Sequence, residues 1–435
     1  MKTAPQRKMK PSGVDWIGDV PEGWNVTRFG YHATVKANLV EVDDYGSFPQ
    51  ISPENIEKNT GRLLAHGTVE DSGVISGNHL FKKGQILYSK IRPALNKVTI
   101  APYPGLCCAD MYPIETDEDT RFMVYLMLAD CFVKQTETVA NMRIKMPKIN
   151  QGELSRIRIA LPPLDEQKRI AAKLDWLCGR VDELAENIKG EIAALQEYRK
   201  SLITECVTKG LNPKAKMKPS GVDWIGDIPE KWAVMRTKYV SRVQTGPFGT
   251  QLSADSYTED GSGVPCVNVK NIGDGVFRVD DLDRVQEDVA ERLVNYVIKR
   301  GDVIFARKGS VDKRTVAEDE QDGWILGSDS IGVRFDEDVM PRYACYYYGN
   351  GVMGQHLHKM AKGSTMPSMN AETIGNLEII IPPFGEQKRI AAFLDKRCAV
   401  IDAKIAERQK QLEKLGEYRS SVIYEYVTGK REVSA

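Results

Sequence analysis

The residues best suited to chemistry in this sequence are basic side chains interleaved with aromatic and amide side chains. Lysine and arginine can hold a phosphate backbone, and arginine, asparagine and glutamine can also read the edges of guanine or adenine. The candidate nucleic-acid contacts are Lys83, Lys90, Arg92, Gln244, Thr245, Phe248, Gln251, Arg307, Lys308 and Ser368. Any one of them could be an ordinary solvated side chain, so the prediction depends on the pattern that they form together.

The segment 244–251, with the sequence QTGPFGTQ, is the most distinctive of these candidates. It is polar and broken by glycine and proline, which predicts a loop. Two interpretations stay open: a loop that reads bases, or a tight turn that covers a sheet edge. Arg307 and Lys308 follow the β-prone run 302–306 at the position where Lys90 follows the run 85–89.

Catalytic motifs are missing from the sequence. His356 and His358 form an H-x-H pair, but no Cys, Asp or Glu stands nearby at a zinc-like spacing. The sequence has no G-x-x-x-x-G-K-[ST] phosphate loop and no G-x-S-x-G nucleophile motif. We therefore expect no catalytic residue and no metal site in this chain, and we do not expect an enzyme.

The composition is that of an ordinary globular protein, with 42% hydrophobic and 28% charged residues. Sixty basic and sixty acidic side chains cancel, so any attraction for nucleic acid must be local. Residues 1–10 lack an apolar targeting region and no apolar run is long enough to cross a bilayer, which predicts a cytoplasmic protein. The eight cysteines follow no pairing pattern, and we expect them to be reduced and partly buried.

The chain contains two copies of one unit. The run MKPSGVDWIGDVPEGW at 9–24 returns as MKPSGVDWIGDIPEKW at 217–232. The run LPPLDEQKRIAAKLD at 161–175 returns as IPPFGEQKRIAAFLD at 381–395. A duplicated chain is expected to present two similar surfaces to one extended or symmetric target.

The regions between the repeats, roughly 25–160 and 233–380, differ in sequence but share short β-prone runs broken by glycine and proline. Some landmarks still align between the two regions. The run GQILY aligns with GDVIF, and MPKIN at 146–150 aligns with MPSMN at 366–370. Each region is therefore predicted to be an α+β domain of the same fold with a different surface.

A long helix is predicted after each of these domains, at about 166–207 and 386–427. The paired prolines before each helix end a strand, and Asp165 and Gly385 are the expected N-cap residues. Apolar residues at the 4-3 spacing of a heptad follow in the first helix: Ile170, Leu174, Leu177, Val181, Leu184, Ile188, Leu195, Tyr198 and Leu202, with a break at Glu191. In the second helix the seam is interrupted by Arg397, Lys404 and Arg408.

Each helix would be roughly 60 Å long at 1.5 Å per residue, which is too long to be buried on one small domain. We therefore expect the two helices to pack on each other. The linker 211–216 is short, so the second domain must lie at the far end of the first helix, which favours an antiparallel pair. The predicted fold class is α+β: two globular domains separated by a long antiparallel two-helix coiled coil, with pseudo-two-fold symmetry.

The repeated order of domain and PP-x-x-EQKRIAA helix resembles the specificity (S) subunits of type I restriction–modification systems. The D-W-I-G-x-[VI]-P-x-x-W runs, the stretch GPFGTQL at 246–252 and the stretch at 363–383 are also similar to that family. The resemblance assigns 1–160 and 213–380 as target-recognition domains. It assigns 161–212 and 381–435 as conserved spacer helices.

The resemblance implies a non-catalytic subunit that binds a bipartite double-stranded DNA sequence. The coiled coil would set the spacer and dock two DNA-methyltransferase subunits, and motor–nuclease subunits would complete the complex. S-adenosylmethionine, ATP and Mg would bind to those partners, with no cofactor on this chain. Alternatives are a specificity subunit of a methylation-only system and a coiled-coil scaffold with two protein-binding domains. The first domain departs from the family pattern, because it lacks a clear counterpart of GPFGTQL.

Overall fold

The protein was analysed as a computed structural model that describes residues 7–143, 146–360 and 368–433, without the side chains of Thr250 and His358. The predicted landmarks Met366 and Pro367 and the stretch 363–367 lie outside these residues. The chain divides into two compact units, one formed by Met1–Lys189 with Gln409–Ala435 and the other by Gly190–Arg408.

The first unit contains a globular domain built on two four-stranded sheets. Its strands are β1 (Met9–Pro11), β2 (Asp19–Pro21), β3 (Asn25–Arg28), β4 (Ala33–Val35), β5 (Leu39–Val40), β6 (Gln50–Ile51), β7 (Asn78–Phe81), β8 (Ile86–Ser89), β9 (Val98–Ile100), β10 (Gly105–Cys107), β11 (Met111–Thr116) and β12 (Arg158–Leu161). Its short helices are α1 (Val69–Ser72), α2 (Thr120–Leu128), α3 (Asp130–Ala140) and α4 (Gln151–Ser155). The sheets have the orders β4-β11-β8-β9 and β5-β7-β10-β6.

The first long helix, α5 (Leu164–Lys209), follows this domain, and the second unit repeats the same plan. The strands of the second unit are β13 (Met217–Pro219), β14 (Asp227–Pro229), β15 (Ala233–Arg236), β16 (Ser241–Thr245), β17 (Val264–Val267), β18 (Asp283–Val285), β19 (Val303–Ala306), β20 (Arg314–Val316), β21 (Ile325–Leu326), β22 (Ser330–Phe335) and β23 (Glu378–Ile381). Its helices are α6 (Glu287–Arg292), α7 (Pro341–Tyr348), α8 (Gly351–Met360), α9 (Ala371–Asn376) and the start of the second long helix, α10 (Phe384–Val427).

The main four-stranded sheet has the same topology in the two domains, whereas the second sheet has four strands in the first domain and three, in the order β18-β17-β21, in the second. The order β16-β22-β19-β20 in the second domain matches β4-β11-β8-β9 in the first, with antiparallel neighbours throughout. The antiparallel pair β15–β23 matches the pair β3–β12 and joins the start of each domain to its end. The prediction of two α+β domains with the same fold is confirmed.

Both long helices are confirmed, and their segments run antiparallel within each unit. In the second unit, Glu191 pairs with Arg408 while Arg199 pairs with Asp402, so rising numbers on α5 meet falling numbers on α10. In the first unit, the last turns of α10 pack on the first turns of α5 in one apolar core.

The predicted register of the helix seam is wrong at several positions. Leu184 and Tyr198 are about half exposed, whereas the seam passes through the neighbouring residues Ala185 and Arg199. The seam therefore continues past Glu191 through Ile192 without a break. The cause is that the large apolar residues Leu184 and Tyr198 stand directly before the seam residues Ala185 and Arg199, so the stronger apolar signal follows the wrong 4-3 pattern.

In the second helix, only one of the three basic residues expected to interrupt the seam lies on it. Arg397 and Lys404 are exposed beside the seam, so they do not interrupt it, while Arg408 lies on it and forms an ion pair of 2.6 Å with Glu191. The N-cap prediction is also wrong at both helices. The helices begin at Leu164 and Phe384, ahead of Asp165 and Gly385, because the carbonyls of Pro163 and Pro383 accept the first helical hydrogen bonds.

The repeated EQKRIAA signature has a structural role at the start of each helix. The indole N–H of Trp24 donates to Glu166 at 3.2 Å, and that of Trp232 donates to Glu386 at 3.0 Å. Within each unit, the contact joins the repeat that carries the tryptophan to the repeat that carries the glutamate. The adjacent glutamine of the signature is almost fully buried in both copies.

All eight cysteines are free thiols, with seven of them buried and Cys108 half-buried, which confirms the expectation for them. Burial raises the pKa of Cys206 to about 11 and that of Cys266 to about 12. Over the described residues, no helix is both long and apolar enough to cross a membrane.

Candidate nucleic-acid interface

The best-defined part of the interface is the connection between β19 and β20, which carries Arg307 and Lys308. The amide of Met369 donates to the carbonyl of Arg307 at 2.9 Å, and Lys308 forms a β-bridge with Ser368. The segment that follows α8 therefore holds the base of this hairpin, which brings three of the predicted residues together.

Arg307 and Phe248 contact each other directly. The guanidinium carbon of Arg307 lies 4.5 Å from the centre of the Phe248 ring, which is about half exposed. One terminal nitrogen of the same guanidinium donates to the carbonyl of Ser328 at 3.2 Å. Stacking and this hydrogen bond restrict the arginine, and its Nε is buried. A planar acceptor pair such as a guanine edge would therefore be met by the terminal nitrogens.

The loop that carries Phe248 is held close to the sheet by Gly246. A Cβ atom at Gly246 would lie 1.9 Å from the carbonyl oxygen of Gly327, so only glycine fits this close approach. The amide of Gly246 donates to Ser330 at 3.0 Å. The segment is a loop beside Arg307 that exposes an aromatic ring, and its role in reading bases stays a prediction.

The other predicted residues of the second domain lie around this loop in different surroundings. Thr245 pairs with Ile331 in the sheet, and Gln244 lines a depression that also contains Arg334 and Asp302. The side chain of Gln251 accepts a hydrogen bond of 3.1 Å from the Tyr296 hydroxyl. Lys308 forms an ion pair of 2.8 Å with Asp329. A phosphate would have to compete with Asp329 for that ammonium group.

The first domain repeats the hairpin anchor with other side chains. The amide of Ile149 donates to the carbonyl of Lys90 at 2.9 Å, and the amide of Arg92 donates to that of Pro147 at 2.8 Å. Arg92 is exposed and has a positive φ of 46°, a conformation that is uncommon for a residue with a side chain. This turn follows β8 and places Lys90 and Arg92 at one corner of the domain, which we call the basic corner.

Lys90 has an aromatic and a buried basic neighbour. Its ammonium group lies 5.3 Å from the centre of the Tyr112 ring. Burial, and then the charge of Lys90, lower the pKa of the nearby His79. Because His79 is kept neutral at physiological pH, Lys90 is not opposed by a second cation at this point.

Lys83 lies apart from the other candidates of the first domain. It is exposed in the turn before β8, whereas Lys90 follows the end of that strand. The four residues of β8 alone span about 13 Å at 3.3 Å per residue. The structure does not bring Lys83 to the basic corner formed by Lys90 and Arg92.

Strand register locates the counterpart of the Phe248 loop that sequence reasoning missed. Val35 pairs with Ile114 as Val243 pairs with Val333, so residues 36–40 correspond to 244–248. In the first domain this segment begins with Lys36 and forms strand β5 in place of a glycine loop. The signal in the sequence was a single valine, Val35 or Val243, before a polar residue, which is too short to be aligned.

The described residues hold no cluster of three His, Cys, Asp or Glu side chains that could bind a metal ion. His356, one of the two histidines singled out by the sequence, is stacked on Trp224 with ring centres 4.7 Å apart. It therefore contributes to packing beside the second repeated hairpin.

Residues 26–194 and 229–414 each match the family model of the type I restriction modification DNA specificity domain. One match falls in each copy of the repeat, and together they cover most of the chain. The chain belongs to the specificity subunits of type I restriction–modification systems. It is thus a non-catalytic component of such a system with two target-recognition domains, as the sequence predicted.

Curated relatives and a solved structure agree with this family. The EcoDI specificity subunit of Escherichia coli is 37% identical over 189 residues, which are 43% of this chain and 42% of that relative. The MjaVIII specificity subunit of Methanocaldococcus jannaschii is 26% identical over 436 residues, 95% of this chain and 94% of the relative. A chain solved in work on complex assembly and conformational transition of the type I R-M system has a TM-score of 0.70 at 19% identity, covering 95% and 99% of the two chains.

Proposed function

We propose that this specificity subunit binds a bipartite double-stranded DNA sequence and reads one half-site with each target-recognition domain. The observation that carries the proposal is the repeated hairpin anchor. In the first domain, residues 147–149 pair with the hairpin that presents Lys90 and Arg92. In the second domain, the equivalent residues Ser368 and Met369 pair with the hairpin that presents Arg307 and Lys308. Two different half-sites would be read by the same backbone arrangement carrying different side chains in each domain.

The paired helices would dock two DNA-methyltransferase subunits, each meeting one copy of the near-identical repeats. Those subunits would bind S-adenosylmethionine and flip the target adenine. Motor–nuclease subunits would add ATP- and Mg-dependent cleavage in the full complex. Such a complex would act on DNA in the cytoplasm.

The proposal is tested by exchanging residues 233–380 for the equivalent domain of a relative and sequencing the methylated sites in cells that express the whole system. We expect one half-site to change while the other half-site and the spacer are kept, because each domain has its own core and its own anchor. The reciprocal exchange of residues 25–160 is the matched control and should change the other half-site. A change of both half-sites by either exchange, or no bipartite methylated motif at all, would contradict the proposal.

The helices are expected to set the spacer between the half-sites. Inserting four residues after Gly190 adds one helical turn of about 6 Å, so the preferred spacer should lengthen by at most about two base pairs at 3.4 Å each. The same four residues inserted in the exposed turn at Gly261 should leave the spacer unchanged. Methylated-site sequencing measures both, and an unchanged spacer in the helix variant would exclude the ruler role.

A further inference from the structure

A repeated arginine lies on the mostly apolar seam of each long helix. The sequence Glu-Tyr-Arg occurs at 197–199 in α5 and again at 417–419 in α10. The side chain of Arg419 is only 7% exposed and that of Arg199 is 17% exposed. A buried guanidinium is costly unless its charge and its donors are matched, so both positions need an explanation.

In the first unit, Arg419 connects three parts of the structure. One terminal nitrogen lies 2.6 Å from the carboxylate of Asp182 on α5. The other donates at 2.9 Å to the carbonyl of Thr60, which belongs to a loop of the recognition domain. A single side chain of α10 thus binds the facing helix and the recognition domain together.

In the second unit, Arg199 makes the equivalent connection from α5. Its Nε lies 2.9 Å from the carboxylate of Asp402 on α10, and a terminal nitrogen lies 3.1 Å from Asp274 in a loop of the second recognition domain. Asp274 also accepts a hydrogen bond from Arg314. Burial opposes ionisation of Asp274, but Arg314 and then Arg199 outweigh it and lower the pKa of that carboxyl, so it is charged at neutral pH.

A second repeated contact ties each recognition domain to the helix that follows it. Arg342 of α7 lies 2.7 Å from Asp395 of α10, and Arg121 of α2 lies 2.8 Å from Asp175 of α5. These contacts hold one helix only. The other helix of each pair already packs on the domain through apolar side chains, with Val422 and Tyr426 of α10 in the first core and Ile203 of α5 in the second. The seam arginines add a directional polar contact to that helix, and this contact fixes the angle of the domain on the helix pair.

We propose that Arg199 and Arg419 are positioning residues for sequence recognition, each fixing the orientation of one target-recognition domain on the helix pair. This inference rests on the proposed function. A domain that is free to pivot can still read its own half-site, but it accepts a half-site at an altered distance. The two arginines therefore determine how strictly the spacer is enforced, without determining which bases are read.

The test uses the assembled methyltransferase complex and DNA substrates that carry the native spacer or a spacer one base pair shorter or longer. Arg419→Lys keeps the charge but cannot reach Asp182 and Thr60 together. We expect the ratio of the methylation rates on the native and the altered spacers to fall about tenfold, because one charge-assisted hydrogen bond would be lost. Base preference within each half-site should stay unchanged. Arg180→Lys, an exposed residue on the same helix pair, is the matched control and should keep full discrimination.

Asp274→Asn removes a partner of Arg199 and tests the second unit independently. If Arg419→Lys does not fold, the spacer discrimination of Asp274→Asn is the measurement that tests the proposal. Folding is checked by the thermal midpoint of each variant before its methylation rate is measured. Unchanged spacer discrimination in a folded variant would overturn the proposal, as would loss of base preference within the half-site. If the wild-type complex showed no bipartite specificity at all, the proposed function would fail instead, so the two failures are distinguishable.

Discussion

Replacing Arg307 with alanine is expected to lower the affinity of the assembled complex for its specific DNA by about 10- to 100-fold. One paired hydrogen bond to a base edge contributes about 1–3 kcal/mol of discrimination, which corresponds to this range. The expected loss is large because the guanidinium is already oriented by Phe248 and by the carbonyl of Ser328, so that little ordering is needed on binding. Affinity is measured by titration of labelled duplex at fixed salt.

Two further variants separate this role from a general loss of positive charge. Arg292→Ala removes a well-exposed arginine of the same domain that forms an ion pair with its helical neighbour Asp288, and it should leave affinity unchanged within about twofold. Arg307→Lys keeps the charge but loses the planar donor pair, so it should bind all sequences more equally. If Arg307→Ala weakened specific and random duplexes by the same factor, Arg307 would be a phosphate contact.

Much of the architecture could be predicted from the sequence because the duplication is visible in it. The repeats at 9–24 and 217–232 mark the start of each domain, and the long proline-free stretches can only be helices at that length and apolar spacing. Antiparallel pairing followed from the short linker alone. These features are set by local sequence and chain connectivity, which a single sequence contains.

The details of the helix seam could not be predicted, because they depend on which of two adjacent residues meets the partner. Cys178 and Ala185 are small enough to pack at the seam, while the larger Leu177 and Leu184 beside them carry the stronger apolar signal. Arg199 and Arg419 lie on the seam against every expectation from hydrophobic spacing. Their partners Thr60 and the loop at Asp274 are distant in sequence, so only the fold brings them together.

The candidate interface was predictable as a set of residues but not as a geometry. Phe248 and Arg307 were both selected from composition, yet nothing in the sequence indicated that the ring and the guanidinium are in contact. Lys83 was selected by the same criterion, but it lies before strand β8, whereas Lys90 follows that strand. Base-contacting residues sit on loops whose positions are fixed by strand register, and register is a tertiary property.

The role of the signature glutamine also needed the structure. Gln387 is fully buried and its amide makes three hydrogen bonds: it accepts from the amide of Met340 at 2.8 Å and donates to the carbonyls of Asp338 and Pro382 at 2.8 and 2.9 Å. Gln167 makes the corresponding bonds to Asp119 and Pro162 in the first unit. The repeated sequence is thus retained in both copies as the joint between a recognition domain and its helix.

Replacing Gln387 with alanine is therefore expected to destabilise the second unit by about 2–6 kcal/mol. The buried carbonyl of Pro382 would lose its partner at about 1–3 kcal/mol, and the part-buried Met340 amide and Asp338 carbonyl would each lose a hydrogen bond of about 0.5–1.5 kcal/mol. The change is measured by denaturant unfolding and by hydrogen exchange at the Met340 amide, whose protection should fall first. Arg389→Ala, an exposed change two residues further along the same helix, should alter stability by less than about 0.5 kcal/mol. A loss below about 1 kcal/mol in Gln387→Ala would mean that water replaces the amide, and that the joint between the domain and its helix depends on Trp232 and Glu386 instead.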